Sequence, residues 1–264
     1  MAEITIRNLG IDYQKPNSAE IFSAVNGIDL AVSDGEFVSI VGSSGCGKST
    51  LLLSIAGLVK IARGSIVSGG REITAPGPDR AVVFQDASLL PWRTVLGNVR
   101  FGLEMQRWKG GDLTEQAMKM IRLVGLGRFA DYHPHQLSGG MRQRVNIARA
   151  LAVNPEVLLM DEPFGALDAQ TREIMGEELL RIWEKDKKTA IFVTHDIDES
   201  IFLSDKIVVM GRNPGHIKEV IAVDLPRPRT SDMLDTETFN EYRRRLRAHL
   251  AADMAEMHLV EKAA

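Results

Sequence analysis

The sequence predicts an α/β fold with a mostly parallel sheet at its core, helices on both faces, an antiparallel β subdomain and an inserted α-helical subdomain. Short, mainly apolar runs alternate with helical segments, as buried parallel strands do. These runs are residues 37–41, 157–160, 191–194 and 206–210. Residues 3–35 are typical of short strands with a polar break at 14–20, which favours antiparallel pairing. Residues 86–150 are largely helical in pattern, and 113–126 have the periodicity of an amphipathic helix.

The composition is that of an ordinary globular protein, with 44% hydrophobic and 25% charged residues. The net charge of −3 gives no general attraction to nucleic acid or to an acidic membrane surface. The single cysteine, Cys46, excludes an internal disulfide and fits a reducing compartment. Strictly apolar runs never exceed four residues, and no signal peptide is expected from the first ten residues. If the protein acts at a membrane, another chain must therefore hold it there.

The string VGSSGCGKST fits the phosphate-loop pattern G-x-x-x-x-G-K-[S/T] at Gly42, Gly47, Lys48 and Ser49. In this pattern successive backbone N–H groups turn inward around a β-phosphate, and glycines adopt the required dihedral angles without a side chain in the way. Lys48 would reach the β- and γ-phosphates, and Ser49 would bind Mg²⁺. An apolar strand precedes the loop, and a leucine-rich helix begins near Lys48 with its positive end toward the phosphates.

A second half of the nucleotide site is expected at the end of the buried strand VLLM, where Asp161 and Glu162 follow. Carboxylates at the carboxyl end of a strand suit a metal ligand and a base that activates water. We assign Asp161 to Mg²⁺ and Glu162 to the attacking water. The alternative is that both are solvated acids at the start of a turn before Pro163.

A second anion site is expected at Leu137-Ser138-Gly139-Gly140, because Ser138 can cap a helix whose first turn presents bare glycine N–H groups. This segment begins 88 positions (137 − 49) after Ser49. One bound triphosphate needs only one phosphate-binding loop. Two such elements suggest that each nucleotide is held by one element from each of two chains.

Together these motifs resemble those of the ATP-binding cassette (ABC) family, and the resemblance covers nearly all of residues 1–225. It implies a P-loop NTPase (RecA-like) core in a nucleotide-binding domain over 1–225, with a helical subdomain at about 86–150 and a linker and amphipathic helical tail over 226–264. It implies ATP and Mg²⁺ as cofactors. The ATP contacts expected from the phosphate loop are Gly42, Ser43, Ser44, Gly45, Cys46, Gly47, Lys48, Ser49 and Thr50.

The resemblance implies roles for further residues. Gln85 in VVFQD matches the Q-loop glutamine, which reaches Mg²⁺ or the attacking water, and His195 in IFVTHD matches the switch histidine, which contacts the γ-phosphate. Tyr13 in LGIDYQ is the best match for the aromatic residue that stacks on adenine. The residues expected to contact ATP from a second chain are Ser138, Gly139, Gly140 and, in the D-loop string GALD, Asp168. Met141 departs from the family, which usually has glutamine there, and the affinity of the dimer could shift.

Two of these interpretations have open alternatives. Phe22 rivals Tyr13 as the adenine-stacking residue, and Tyr13 could be a half-buried strand residue. The segment after Gln85 carries large apolar side chains that include Trp92 and Val95. It is either a buried helical core or a groove for a short helix of a membrane partner, anchored by Trp92.

The end of the chain is expected to be an extended linker at 224–230 followed by a helix. An apolar stripe of this helix lies beside a basic cluster. The stripe is Phe239, Tyr242, Leu246 and Leu250, and the cluster is Arg243, Arg244, Arg245 and Arg247. The pattern favours a helix packed on the body with a solvated charged face. Docking to lipid headgroups or to a partner is the alternative.

The resemblance implies an ATP-hydrolysing subunit of a membrane transporter, most similar to importers of small anionic solutes such as nitrate, sulfonate or taurine. The expected partners are a second copy of the chain in a head-to-tail dimer, transmembrane permease subunits and, indirectly, a solute-binding protein, with no nucleic acid. The expected location is peripheral, at the cytoplasmic face of the inner membrane. A soluble or lipid-export ABC ATPase is the alternative. A DNA-repair cassette is disfavoured because 88 positions cannot hold its long coiled coil.

Overall fold

The computed structural model describes residues 2–14, 18 and 20–263, with the backbone alone for residue 186 and residues 252–263. The described residues form two compact units. The first unit contains residues 1–77 and 187–264, and the second contains residues 78–186. Most of the polar break expected at 14–20 falls on residues 15–17 and 19, which lie outside the described residues.

The strands are β1 (Ile4–Gln14), β2 (Ile21–Val32), β3 (Phe37–Gly42), β4 (Arg63–Ser68), β5 (Arg71–Glu72), β6 (Arg80–Val83), β7 (Val157–Asp161), β8 (Thr189–Val193), β9 (Lys206–Gly211) and β10 (His216–Ala222). The α-helices are α1 (Lys48–Ile55), α2 (Val95–Met105), α3 (Leu113–Leu123), α4 (Gly139–Ala152), α5 (Ala169–Asp186), α6 (Ile197–Leu203) and α7 (Glu237–Ala263). Short 3₁₀ turns cover Gly127–Phe129, Pro134–Gln136 and Ser231–Asp235.

The first unit contains an antiparallel sheet in the order β2-β1-β4-β5. Strand β1 pairs with β2 from Ile4 opposite Val32 to the last pair, Gln14 opposite Ile21. Apolar side chains on one face of β1 are fully buried, as the alternating pattern of a half-buried strand requires. The register shifts near Asn8, which has a φ of 45°, so β1 carries a bulge there. The antiparallel pairing predicted for residues 3–35 is confirmed.

Parallel strands form the core of the first unit, where β3 lies between β8 and β9. Every residue of β8 is buried, and Phe37 of β3 packs against Phe192 with 6.0 Å between ring centroids. Strand β10 joins the other side of β9 in the antiparallel direction. Because β3 and β8 run parallel with Ile40 opposite Val193, their carboxyl ends meet at one edge. The predicted strands at 37–41, 191–194 and 206–210 correspond to β3, β8 and β9.

The second unit combines a pair of parallel strands with packed helices. Strands β6 and β7 pair with Val83 opposite Met160, so their carboxyl ends also meet at one edge. Helices α2, α3 and α4 pack on one another through fully buried side chains. Helix α3 begins after Asp112, whose carboxylate accepts hydrogen bonds from the amides of Thr114 and Glu115. Such a cap satisfies amides that have no partner within the helix.

A buried asparagine fixes the loop before α2. The side chain of Asn98 is fully buried, and its Nδ2 donates to the carbonyl oxygens of Leu90, Arg93 and Thr94 at 3.0–3.1 Å. Its Oδ1 accepts a 2.7 Å hydrogen bond from the amide of Leu90. These hydrogen bonds provide partners for backbone N–H and C=O groups that have none in a strand or helix. The conformation of this irregular loop is therefore well determined.

Helix α7 belongs to the first unit and packs on the rest of it through its apolar stripe. Phe239 and Leu246 are fully buried, while Arg243 pairs with Asp198 and Arg245 contacts Glu219. The interpretation of this stretch as a helix packed on the body is thus confirmed for its described part. Among the described residues, no helix is both long enough and apolar enough to cross a membrane.

Candidate functional site

The phosphate-loop motif forms a tight turn between β3 and α1. The Nζ atom of Lys48 donates to the carbonyl oxygens of Gly42 at 2.9 Å and Ser43 at 3.2 Å, and the amide of Cys46 donates to Ser43 at 3.3 Å. The lysine side chain is buried, and its ammonium group thus lies across the loop. Helix α1 begins at Lys48, with Ser49 and Thr50 in its first turn. Ser44, Gly45 and Ser49 are exposed.

The geometry of this loop fits a bound phosphate chain. Gly45 and Gly47 have φ values of 78° and 98°, in the left-handed region that favours glycine. A Cβ at Gly42 would lie 2.7 Å from Sγ of Cys46, and one at Gly47 would lie 2.8 Å from the Val25 side chain. The loop therefore closes only with bare backbone at both positions. Its donor set, an ammonium group, a helix N-terminus and the Ser49 hydroxyl, suits a triphosphate with its divalent cation.

The two aromatic candidates for adenine stacking lie opposite each other. Tyr13 on β1 and Phe22 on β2 form a cross-strand pair. Directly opposed residues of an antiparallel pair share one face of the sheet. Tyr13 is 43% exposed and Phe22 is 49% exposed, so Tyr13 is a half-buried strand residue, as the alternative has it, and the exposed part of each ring still offers a surface to a ligand. The choice between them stays open, because the structure places them together.

His195 lies just beyond the carboxyl end of β8 and is exposed. The preceding amide, of Thr194, donates to the carbonyl oxygen of Ile40 in β3 at 3.2 Å. Asp196 follows His195 and caps α6, accepting from the amides of Asp198 and Glu199. The imidazole thus extends from the same edge as the phosphate loop, on a short segment fixed on both sides.

The acidic pair lies at the carboxyl end of β7 in the second unit. Asp161 is buried as the last residue of the strand. Glu162 follows with a φ of 43°, which is rare for a residue with a side chain and marks a sharp change of direction. Gln85, just beyond the carboxyl end of β6, approaches this carboxylate, with 3.4 Å between its Nε2 and Oε2 of Glu162. Two of the three predicted catalytic residues therefore lie together.

The signature segment forms the predicted helix cap. The Oγ atom of Ser138 accepts a 3.3 Å hydrogen bond from the amide of Met141, and α4 begins at Gly139. An accepting hydroxyl keeps its own proton available for donation to a phosphate oxygen. The departure at Met141 does not disturb the cap, because only its backbone amide takes part. A Cβ at Gly140 would lie 3.0 Å from the Leu167 side chain, so the helix start packs closely on the following loop.

Asp168, expected to act in a second chain's site, also begins a helix in its own chain. Its carboxylate accepts hydrogen bonds from the amide of Thr171 at 2.9 Å and from the Thr171 hydroxyl at 2.7 Å. These bonds with Thr171 hold the pKa of Asp168 below its usual range. Asp168 therefore carries a negative charge at neutral pH and fixes the start of α5.

A row of polar side chains on α4, which was not predicted from the sequence, anchors the Gln85 loop. Gln143 and Asn146 both donate to the carbonyl oxygen of Phe84, at 3.0 and 3.1 Å. Arg149 donates to the carbonyl oxygens of Ala87 and Ser88, both at 3.1 Å. Burial lowers the pKa of Arg149, which stays protonated. These three residues recur at the i, i+3, i+6 spacing of one helix face. That spacing is the feature of the sequence from which a shared role could have been predicted.

The segment after Gln85 divides into an exposed and a buried part. Trp92 is 73% exposed, whereas Val95, three residues later, is fully buried. The buried-core interpretation is therefore wrong for Trp92 and right for Val95. The physical reason is that Pro91 and Trp92 belong to the loop fixed by Asn98, while Val95 begins α2 and faces its helical neighbours. An exposed indole on a well-fixed loop is a typical anchor for a partner.

The chain matches known proteins over most of its length. The profile of the ABC transporter family matches residues 25–165. An uncharacterized ABC transporter ATP-binding protein of Methanocaldococcus jannaschii is 52% identical over 223 residues, covering 84% of this chain and 82% of the relative. A bicarbonate transport ATP-binding protein of Synechocystis is 44% identical, and the match covers 92% of this chain and 86% of that relative. A nitrate import ATP-binding protein of Synechococcus elongatus is 47% identical, covering 85% of this chain and 35% of that protein.

A solved structure with the same fold is a dimeric ATP-binding cassette in a post-hydrolysis state, bound to ADP and Pi. It is 33% identical to this chain, with a TM-score of 0.77. The match covers 84% of this chain and 100% of that chain. The likeness confirms the predicted α/β P-loop NTPase fold, with parallel core strands and an antiparallel β sheet.

The Lys48→Ala variant is expected to bind ATP about 10- to 100-fold more weakly, because a charge-assisted contact contributes about 1.5–3 kcal/mol. Titration with a fluorescent ATP analogue measures the dissociation constant. The matched control is Lys60→Ala, which removes an exposed lysine outside the loop. A dissociation constant for Lys48→Ala equal to that of the control would contradict the phosphate-binding role of the loop.

Proposed function

The chain belongs to the ABC transporter family, and we propose that it is the ATP-hydrolysing subunit of an importer of small anionic solutes. The observation that carries the proposal is the phosphate loop. Its Lys48 ammonium group donates to the carbonyl oxygen of Gly42, and a side chain at Gly42 or Gly47 would collide with neighbouring residues. The cofactors of this family domain are ATP and Mg²⁺, and the donor set of the loop fits both. The importer assignment is supported by the nitrate relative, whose name describes an import protein, and the choice of an anionic solute is also supported by the bicarbonate relative, whose name describes a transport protein.

In the proposed reaction, a water molecule attacks the γ-phosphorus of ATP and the bond to the ADP oxygen breaks. Glu162 takes the water proton, and Gln85, 3.4 Å away, orients the same water through its amide. Lys48 and the loop amides stabilise the charge on the phosphate oxygens, and His195 donates a hydrogen bond to the γ-phosphate. Ser49, Asp161 and Gln85 would hold Mg²⁺, which neutralises charge on the phosphates.

Two copies of the chain are proposed to act as a head-to-tail dimer. Each nucleotide would be contacted by the phosphate loop of one chain and by Ser138, Gly139, Gly140 and Asp168 of the other. The support is that Ser138 caps α4 as an acceptor and so keeps its proton for a phosphate. A homologous cassette at 33% identity forms a dimer.

We propose that Trp92 anchors a transmembrane permease subunit at the cytoplasmic face of the inner membrane. The loop that carries it is fixed by Asn98, and the adjoining Gln85 loop is anchored to α4 by Arg149. A partner that moves Trp92 would therefore act on a segment connected to both Gln85 and the helix of the signature. A solute-binding protein would meet the permease rather than this chain. The solute itself, whether nitrate, sulfonate, taurine or bicarbonate, would be selected by those partners.

The Glu162→Gln variant is expected to bind ATP as tightly as the wild type and to lower kcat about 100-fold or more, because the amide cannot accept the water proton. Phosphate release measures turnover, and titration with a fluorescent ATP analogue measures binding. The matched control is Glu156→Gln, a change at an exposed acid before β7. Turnover of Glu162→Gln at the wild-type rate would show that another group is the base.

The Trp92→Ala variant is expected to lose most co-sedimentation with membranes that contain the permease, while basal ATP hydrolysis stays within about twofold of the wild type. The reason is that the side chain is exposed and is neither in the phosphate loop nor one of the predicted catalytic residues. The matched control is Val220→Ala, which removes another exposed apolar side chain, on β10 of the first unit. Equal loss of membrane association in both variants would contradict a specific role for Trp92.

A further inference from the structure

The helix that follows His195 is held at its C-terminal end by the segment predicted to be a linker. Arg229 is buried, and its Nη1 donates to the carbonyl oxygens at the end of α6. These acceptors are Ile201 at 2.9 Å, Phe202 at 3.0 Å and Ser204 at 2.7 Å. Arg227 donates to the carbonyl oxygen of Leu203 at 2.9 Å. Carbonyl groups at a helix end have no partner within the helix, and a cation there is favourable.

The N-terminal end of the same helix is held by α7. Arg243 donates to both carboxylate oxygens of Asp198, from Nε at 2.7 Å and from Nη2 at 3.1 Å. Its guanidinium lies 5.1 Å from the ring centroid of Phe239, which is fully buried. The hydrogen bond to Asp198 also raises the pKa of Arg243, so the guanidinium stays charged. A bidentate pair whose arginine is packed on a buried ring is geometrically restrained, unlike most surface ion pairs.

The first turn of α6 is in turn bonded to both neighbours of His195. The Thr194 hydroxyl donates to Glu199 Oε2 at 2.6 Å and accepts from the amide of Asp196 at 3.0 Å. Asp196 caps the helix through the amides of Asp198 and Glu199. The seven residues of α6 are too few for a helix that is stable by itself. The contacts at its two ends therefore add to the packing of its buried side chains, such as Ile201 and Leu203, in holding the His195 segment in place.

We propose that Arg243 is a positioning residue for ATP hydrolysis, acting through Asp198 and the first turn of α6 on the segment that carries His195. The inference rests on the proposed function, in which His195 contacts the γ-phosphate. In this proposal residues 227–243 contribute to ATP hydrolysis by holding α6, and they are not a functionally independent tail. A small displacement of a group that contacts the reacting phosphate lowers the rate of the chemical step more than it weakens binding of the nucleotide.

The test compares Arg243→Ala, Arg243→Lys and Asp198→Asn with the control Arg244→Ala. Arg244 lies on the same helix and pairs with Glu237, and both side chains are largely exposed, at 66% and 73%. For Arg243→Ala and Asp198→Asn, kcat is expected to fall about 5- to 20-fold with KM for ATP within about twofold of the wild type. Arg243→Lys keeps the charge and should recover part of kcat. Arg244→Ala should match the wild type.

Amide hydrogen exchange of residues 194–203, measured without ATP, gives a second readout that does not depend on activity. Exchange of these amides is expected to accelerate in Arg243→Ala and Asp198→Asn and to stay unchanged in Arg244→Ala. Unchanged exchange, or unchanged kcat with faster exchange, would overturn the proposal. Asp198→Asn leaves Phe239 and Leu246 in place, so it decides the matter if Arg243→Ala fails to fold. If the wild type itself hydrolyses no ATP, the proposed function fails, whereas unchanged exchange refutes the role of Arg243 alone.

Discussion

Parallel strand pairing is the constraint on which the candidate site depends. Strands that run side by side in one direction end at the same edge, and each loop that leaves that edge can carry a functional group. In the first unit, β3 and β8 place the phosphate loop and His195 at one edge. In the second unit, β6 and β7 do the same for Gln85 and Glu162, whose side chains meet at 3.4 Å. The chemistry therefore follows from strand direction together with a few residues just beyond each strand.

Buried polar side chains then fix the irregular segments that strand pairing leaves undefined. Asn98 pairs the backbone before α2, Asn146 and the partly buried Arg149 hold the loop that follows β6, and Arg229 satisfies the end of α6. Burial of such groups is costly unless each one is hydrogen-bonded, and removal of one would leave several carbonyl groups without a partner. A loop held in this way can be exposed and still well placed, which is what a binding or catalytic loop requires.

Local patterns were sufficient where a structure depends on residues close together in the chain. The strands at 37–41 and 157–160, the helix that begins at Lys48 and the Ser138 cap were all predictable from spacing and residue type. Contacts between distant segments were not. Nothing in the sequence near Trp92 indicates that Asn98 holds its loop open to solvent, and nothing near Arg243 indicates its pairing with Asp198, 45 positions away. The roles of the predicted site residues remain predictions, although their positions at strand ends agree with those roles.

The mass of the Glu162→Gln chain in solution, with and without ATP and Mg²⁺, tests most directly whether two chains share each nucleotide. The chain has a mass of 29.1 kDa, and we expect ATP to shift it to a dimer of twice that mass. Adding Ser138→Arg to the same chain should keep it monomeric, because the substitution fills the start of α4 with a long side chain. A chain that stays at 29.1 kDa with ATP, or a dimer that forms equally well with Ser138→Arg, would contradict the shared site.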